Sequence, residues 1–163
     1  MGAFGGPDII TDGLIYAIDA GSERSYPGSG TAVTAITGVG NGTLTNGVGF
    51  DSANGGSWTF DGADDYIDFN SFLVPGISQY DTITNFTISV WVNWDHFPTG
   101  NYDEIISWWR PGTDPYSDAF LGTTTYSAQG GSAANPGIRF GDGWTTTGAN
   151  FTAATDVGKW WQI

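Results

Sequence analysis

Cysteine is absent from the 163 residues of this chain. A disulfide scaffold is therefore impossible, and so is any zinc site built on thiolates. Cations are almost as scarce. Lys and Arg together number 4 against 17 Asp and Glu, for a formal net charge of −13. So few scattered cations cannot replace the counterions of a phosphate backbone, and a nucleic-acid binder is not expected. Histidine occurs once, at His96, beside a strand end where a surface role outranks catalysis. No Gly-x-Ser-x-Gly elbow accompanies it for nucleophilic chemistry. No apolar run reaches the roughly eighteen residues a membrane span requires, so no membrane insertion is expected. Met1 to Gly6 carries neither a basic region nor an apolar stretch, and no secretory signal is read there.

What the chain does contain is glycine and aromatic residues: 26 Gly, 8 Trp, 10 Phe and 7 Tyr. The aromatics argue against disorder, because disordered chains are poor in them. The glycines argue against helix, since each one inside a helix costs roughly 1 kcal/mol. Strand signals are plain instead. Phe86, Ile88, Val90, Val92 and Trp94 alternate with Thr87, Ser89, Trp91 and Asn93, a period of two in β-branched and aromatic types. The even-numbered set should face a core, and Trp91 on the other side should cover a loop or a second layer. Leu14 to Asp19, Glu104 to Trp109, Ala119 to Tyr126, Gly137 to Phe140 and Trp160 to Ile163 read as further strands. Asn46-Gly47, between Thr43–Thr45 and Val48–Phe50, is a type I′ hairpin signal. Asp61 to Asp65 joins Ser57–Phe60 to Tyr66–Phe69 in another tight connection. Loops are expected over Glu23 to Gly42, Asp95 to Asp103, Pro111 to Asp118 and Gln129 to Pro136.

Short strands separated by Gly, Asn, Asp and Ser turns predict an all-β chain, an antiparallel β-sandwich or jelly roll. Phe50, Trp58, Phe60, Ile67, Phe69 and the even-numbered set from Phe86 to Trp94 are its expected core. Residues 1–12 form a small-residue N-terminal arm outside this pattern, and residues 13–163 form the sandwich domain. Lys159-Trp160-Trp161-Gln162-Ile163 stops inside an apolar alternating run. An unfinished strand with two Trp exposes apolar surface and an open edge. The sandwich is accordingly expected to be incomplete at its C-terminus, with the native chain continuing past Ile163 or pairing with another chain.

The series Gly13-Leu14-Ile15-Tyr16-Ala17-Ile18-Asp19-Ala20, Gly42-Thr43-Leu44-Thr45-Asn46-Gly47, Phe60-Asp61-Gly62-Ala63-Asp64-Asp65-Tyr66-Ile67, Phe86-Thr87-Ile88-Ser89-Val90-Trp91-Val92 and Trp160-Trp161-Gln162-Ile163 resembles the laminin-G-like domains of the concanavalin A-like lectin/glucanase superfamily. The opening, Gly5-Gly6-Pro7-Asp8-Ile9-Ile10-Thr11-Asp12-Gly13 followed by Ser25-Tyr26-Pro27-Gly28-Ser29-Gly30, is similar to structural proteins of tailed bacteriophages, especially phages of marine bacteria.

The resemblance implies three chemistries to weigh. Glycoside hydrolysis needs two carboxylates across a glycosidic bond. The resembling glucanases alternate two Glu and an Asp on one strand. Here the only Glu residues are Glu23 and Glu104, so an enzyme is not expected. Calcium binding at a sandwich rim is a second possibility, and carboxylate oxygens in loops suit that ion. Asp61, Asp64 and Asp65 are its candidate ligands, with Asp95 from a neighbouring loop. Asp also caps turns through its side chain, and turn capping outranks the metal. Sugar binding is the third, using exposed aromatics against sugar faces. Trp108, Trp109 and Trp144 are its candidates, and ordinary packing at a core or interface outranks it.

The expectation that results is a non-catalytic module of a bacteriophage virion, a surface decoration or head-fibre protein assembled in the host cytoplasm. Residues 1–12 would dock on other virion proteins, with homo-oligomers formed and adhesion to host-surface glycan as an added activity. A tail-fibre lectin that recognises host polysaccharide is the first alternative, and a glycan-active hydrolase the second.

Overall fold

The computed structural model describes residues 12–38, 40–69, 87–95, 102–108, 119–124, 135–140, 143–146 and 153–163. The expected arm, residues 1–12, therefore lies outside the described residues except for Asp12, and His96, Trp109 and Phe86 lie outside them too. Among the described residues the chain is all-β in character, built from antiparallel strands with one 3-10 turn and one turn of α-helix. It divides into two compact units, residues 1–85 and 86–163.

In the first unit, β1 (Ala32–Val33), β2 (Gly42–Thr45) and β5 (Tyr66–Asp68) form one sheet with β2 in the middle. A separate ribbon pairs β3 (Gly49–Asp51) with β4 (Ser57–Thr59). Val33, Leu44 and Tyr26 are the buried centre, and Ile18, Val48, Phe50, Trp58 and Ile67 pack around them. Leu44 stands opposite Ile67 across the ladder, which pairs two core residues on one face.

Asn46-Gly47 is a turn, as predicted, with positive φ at both residues (66° and 122°). It is not a hairpin. β2 pairs with β1 and β5 while β3 pairs with β4, so the turn carries the chain from one sheet to the other. The Asn46 side-chain amide donates to the Asp64 carbonyl at 2.8 Å, which pins this turn to the Asp61–Asp65 loop. That loop likewise links strands of different sheets.

The expected strand Leu14–Asp19 has no regular ladder in the described structure. It is held at points instead: the Ile36 N–H donates to the Ala17 carbonyl at 2.8 Å, and the Asp19 N–H donates to Ser25 Oγ at 3.1 Å. Ser25 is 1% exposed. Its hydroxyl also donates to the Thr34 carbonyl at 2.7 Å, so one buried side chain joins three backbone segments. Such a group is tolerated in a core because its hydrogen-bonding capacity is met there.

The stretch read as a loop, Glu23 to Gly42, supplies much of the core. Ser25, Tyr26, Val33 and Ala35 are all buried. The chain folds back through Gly28 and Gly30, whose φ angles of 82° and 83° suit glycine. The Tyr26 hydroxyl donates to the Gly30 carbonyl at 2.9 Å, closing the loop over its own aromatic ring. Phe60, expected in the core, is 51% exposed. It lies just past the end of β4, after the ladder with β3 has ended, and so follows the loop outward. Phe50, Trp58, Ile67 and Phe69 are half-buried.

Tyr16 meets Phe69 edge-on with ring centroids 5.4 Å apart. Burial pushes its phenol pKa up. The sign of the consequence follows from linkage. Above a pH of about 10 the unfolded phenol loses its proton while the folded one keeps it. The folded state then holds more protons, so stability falls as pH rises. The expected result is a urea midpoint that drops above about pH 10, with a shallower drop in Tyr16→Phe.

In the second unit, β7 (Tyr102–Trp108), β8 (Ala119–Thr124), β9 (Asn135–Phe140) and β10 (Gly143–Thr146) make an antiparallel sheet in the order β10-β9-β8-β7. Three of these match predicted strands. β10 was not foreseen, and Tyr102, Asp103, Asn135 and Pro136 belong to strands, not to the expected loops. The register of β7 on β8 shifts between Glu104 and Ile106. A second ribbon pairs β6 (Trp91–Asn93) with β11 (Trp160–Gln162). Backbone bonds of 2.9 Å in both directions between Val90 and Ile163 extend it. One turn of helix, α1 (Ala153–Asp156), precedes β11, and the Trp161 indole N–H donates to the Asp156 carbonyl at 3.1 Å.

Candidate functional site

The β6–β11 ribbon shows the predicted alternation along residues 87–94. Ile88, Val90, Val92 and Trp94 are half-buried, while Thr87, Ser89, Trp91 and Asn93 are exposed. The pattern continues across the ladder. Trp161 pairs with Val92, and both Trp161 and Ile163 are half-buried on the inner side. Trp160 and Gln162 are exposed with the odd-numbered set.

The outer face therefore carries two tryptophans. Trp91 is 63% exposed and Trp160 is 41% exposed. The sequence placed Trp91 over a loop or a second layer, whereas most of its surface is open to solvent. Its cross-strand neighbour is Gln162, and that of Trp160 is Asn93. The two rings are thus diagonal neighbours, at a backbone spacing of about 7–8 Å. The Gln162 side-chain amide donates to Ser89 Oγ at 3.0 Å, which orients the amide beside the ring. Thr87, Ser89, Trp91, Asn93, Trp160 and Gln162 on this face are uncharged at neutral pH, with exposed Asp95 continuing the odd-numbered series and exposed Lys159 beside Trp160. Alternation marked Trp91 as the odd residue in sequence. The partnership with Trp160 depends on a pairing between segments some seventy residues apart, which local pattern does not carry.

Of the aromatic residues nominated in sequence, Trp108 and Trp144 lie on separate strands. Trp108 ends β7 and Trp144 lies in β10, the two outermost strands of their four-stranded sheet. Three strand spacings separate them, about 14 Å. Trp109 lies outside the described residues.

The nominated carboxylates do converge. One oxygen each from Asp61, Asp64 and Asp65 lies within 4.8 Å of the others. Asp61 and Asp64 are exposed and Asp65 is half-buried. Local hydrogen bonds account for two of the three. Asp61 Oδ1 accepts from the Ala63 N–H at 2.8 Å, and Asp65 Oδ2 accepts from the Asp61 N–H at 3.0 Å. Asp65 Oδ1 is buried with no hydrogen-bond partner among the described residues. Asp95 belongs to the other unit. Calcium takes 6–8 oxygens, more than these three carboxylates supply at one apiece, and the bonds to the Ala63 and Asp61 N–H groups are turn caps. The expected result is a melting temperature that is the same in excess calcium and in excess EDTA. Asp61→Ala should cost about 1 kcal/mol through the lost cap, measured by urea unfolding.

No helix among the described residues is long and apolar enough to cross a membrane. Comparison with known protein families, curated proteins and solved structures finds no significant match to this chain.

Proposed function

We propose that this chain is a non-catalytic binding module on the surface of a bacteriophage particle. In this reading its antiparallel strands belong to a β-sandwich of the concanavalin A-like, jelly-roll type, and residues 1–12 anchor it to a neighbouring virion protein. The observation that carries the binding role is the solvent-facing pair Trp91 and Trp160, with exposures of 63% and 41%. Both rings leave a large part of their apolar surface in water on a regular strand face, and contiguous exposed apolar patches mark interaction surfaces. The virion assignment rests on the likeness of Gly5 to Gly13 and Ser25 to Gly30 to phage structural proteins.

Strong net negative charge suits an exposed role of this kind. It keeps a protein with many aromatics soluble and opposes non-specific contact with nucleic acid during assembly. The test is mass spectrometry of gradient-purified particles. Peptides of this chain are expected at a fixed ratio to the major capsid protein. Their absence from particles, with the protein present in the lysate, would overturn the virion assignment.

A further inference from the structure

We infer that Asn54-Gly55 is a spontaneous modification site, where the asparagine loses ammonia and isoaspartate forms in the turn between β3 and β4. The step needs only water and hydroxide. The Gly55 backbone nitrogen, once deprotonated, attacks Asn54 Cγ. An N–Cγ bond forms, the Cγ–Nδ2 bond breaks, and the side-chain nitrogen leaves as ammonia, giving a cyclic succinimide. Water then opens the ring at either carbonyl. Opening at Cγ gives aspartate. Opening at the Asn54 main-chain carbonyl gives isoaspartate, in which the chain runs through Cβ and Cγ. Glycine in the second position favours the attack, because no Cβ crowds its nitrogen.

Asn-Gly pairs occur at Asn41, Asn46 and Asn54, and the structure sets them apart. Nitrogen and Cγ must meet in a near-attack geometry, so the freedom of both groups governs the rate. Asn41 is exposed, but Gly42 is buried in β2 opposite Val33. The Asn46 side-chain amide is held by the Asp64 carbonyl at 2.8 Å. Asn54 and Gly55 are both exposed, and no hydrogen bond among the described residues restrains the Asn54 side chain. The turn itself calls for this pair. Asn54 has φ 55° and ψ 25°, a left-handed conformation that asparagine tolerates better than most residues. Gly55 follows at φ 94°, where glycine is at ease. The residues that suit the backbone are therefore the ones that react.

Isoaspartate lengthens the main chain by one carbon at a place with no slack. A Cβ at Gly21 would meet the Gly55 carbonyl oxygen at 1.9 Å, and one at Gly56 would meet the Gly21 Cα at 2.7 Å. The turn Ala53–Gly55 thus delivers Gly55 and Gly56 into main-chain contact with Gly21. Its shape is set by the Ala53 N–H donating to Asp51 Oδ1 at 2.8 Å and the Gly56 N–H donating to the Ala53 carbonyl at 3.0 Å. The second bond spans the modified residue, so an added carbon displaces it. Asp51 pairs with Ser57 across the ladder, and that end of the β3–β4 ribbon loosens with the turn. Aspartate at position 54 keeps the backbone as it is and adds only a charge at an exposed position.

The experiment ages the full chain at mildly alkaline pH in heavy-oxygen water and follows it by peptide mapping. Isoaspartyl methyltransferase with labelled S-adenosylmethionine is the probe for isoaspartate. Heavy oxygen and methyl label should accumulate in the peptide holding Asn54 roughly tenfold faster than at Asn41 or Asn46. The rate should rise with pH, because the attacking nitrogen must first lose its proton. In guanidinium chloride the three sites should converge, since the folded structure is what separates them. The isoaspartate fraction, isolated by hydrophobic-interaction chromatography, should unfold at a lower urea concentration than the unaged protein. Freshly purified Asn54→Asp carries the charge without the extra carbon and should keep the parent midpoint. Asn54→Gly also suits a positive φ, and it should age without that loss of midpoint. Equal or faster labelling at Asn41 or Asn46 in the folded protein would overturn the inference. So would an isoaspartate fraction with the parent's midpoint, or an Asn54→Asp midpoint as low as that of the isoaspartate fraction.

Discussion

Gly21→Ala should destabilise the first unit by about 3 kcal/mol or more, at the upper end of what overpacking costs. A Cβ at Gly21 would sit 1.9 Å from the Gly55 carbonyl oxygen and 2.9 Å from its carbon. The obstacle is backbone, so no side-chain rotation relieves it. The reciprocal contact is also too close for a side chain, since a Cβ on Gly56 would come within 2.7 Å of the Gly21 Cα. The segment after Leu14–Asp19 and the turn before β4 therefore touch main chain to main chain. Gly30→Ala provides the contrast. Gly30 has a φ of 83° and open space around its missing Cβ, so only the left-handed backbone penalty applies, about 1–2 kcal/mol. Urea unfolding of both variants should show the larger loss at Gly21, although Gly30 has the less favourable φ for alanine. Equal losses would mean that the close approach at Gly55 is absent.

Tyr26→Ala should cost about 4 kcal/mol, the usual scale for emptying a buried aromatic site. Tyr26 is 4% exposed. Its ring lies 5.2 Å from that of Phe50, tilted against it, and 5.9 Å from that of Trp58, edge-on. Truncation would remove the contact that joins the β3–β4 ribbon to Val33 and Leu44. Tyr26→Phe keeps the ring and loses only the bond to the Gly30 carbonyl, so it should cost about 1 kcal/mol. A small gap between the two variants would place the tyrosine outside the core. Stability of small domains is about 5–15 kcal/mol in total, so Tyr26→Ala is expected to leave the first unit close to unfolding.

These residues also show what local pattern conveys and what it does not. Period-two alternation over Phe86 to Trp94 located β6, although the strand itself spans only Trp91–Asn93, and it separated half-buried even-numbered from exposed odd-numbered residues at each described position. That succeeds because side-chain direction in a strand is fixed by backbone geometry alone. Asn46-Gly47 located a turn for the same local reason, as both residues tolerate positive φ. Which strands the turn would connect in a ladder was not local, and the hairpin gave way to a crossing between sheets. Tyr26 and Ser25 were hidden in a Gly- and Pro-rich stretch without periodicity. Their burial depends on the loop closing on itself and on Ser25 linking Asp19 to Thr34, contacts between positions that no repeat connects.

The same distinction runs through the candidate sites. Asp61, Asp64 and Asp65 are close in sequence and close in space, and turn chemistry made that legible. Trp108 and Trp144 looked comparable in sequence but occupy opposite outer strands. Trp91 and Trp160 became neighbours only through the β6–β11 pairing. An aromatic pair on a strand face is a product of register, and register across a long separation is set by tertiary structure.

Electron microscopy of intact particles, with this chain located in the density, tests the proposed role most directly. The expected result is the chain on the outer surface at regular positions, residues 1–12 against a neighbouring virion protein and the Trp91–Trp160 face turned to solvent. A chain missing from the particle, or one whose β6–β11 ribbon is buried against the shell, would contradict it.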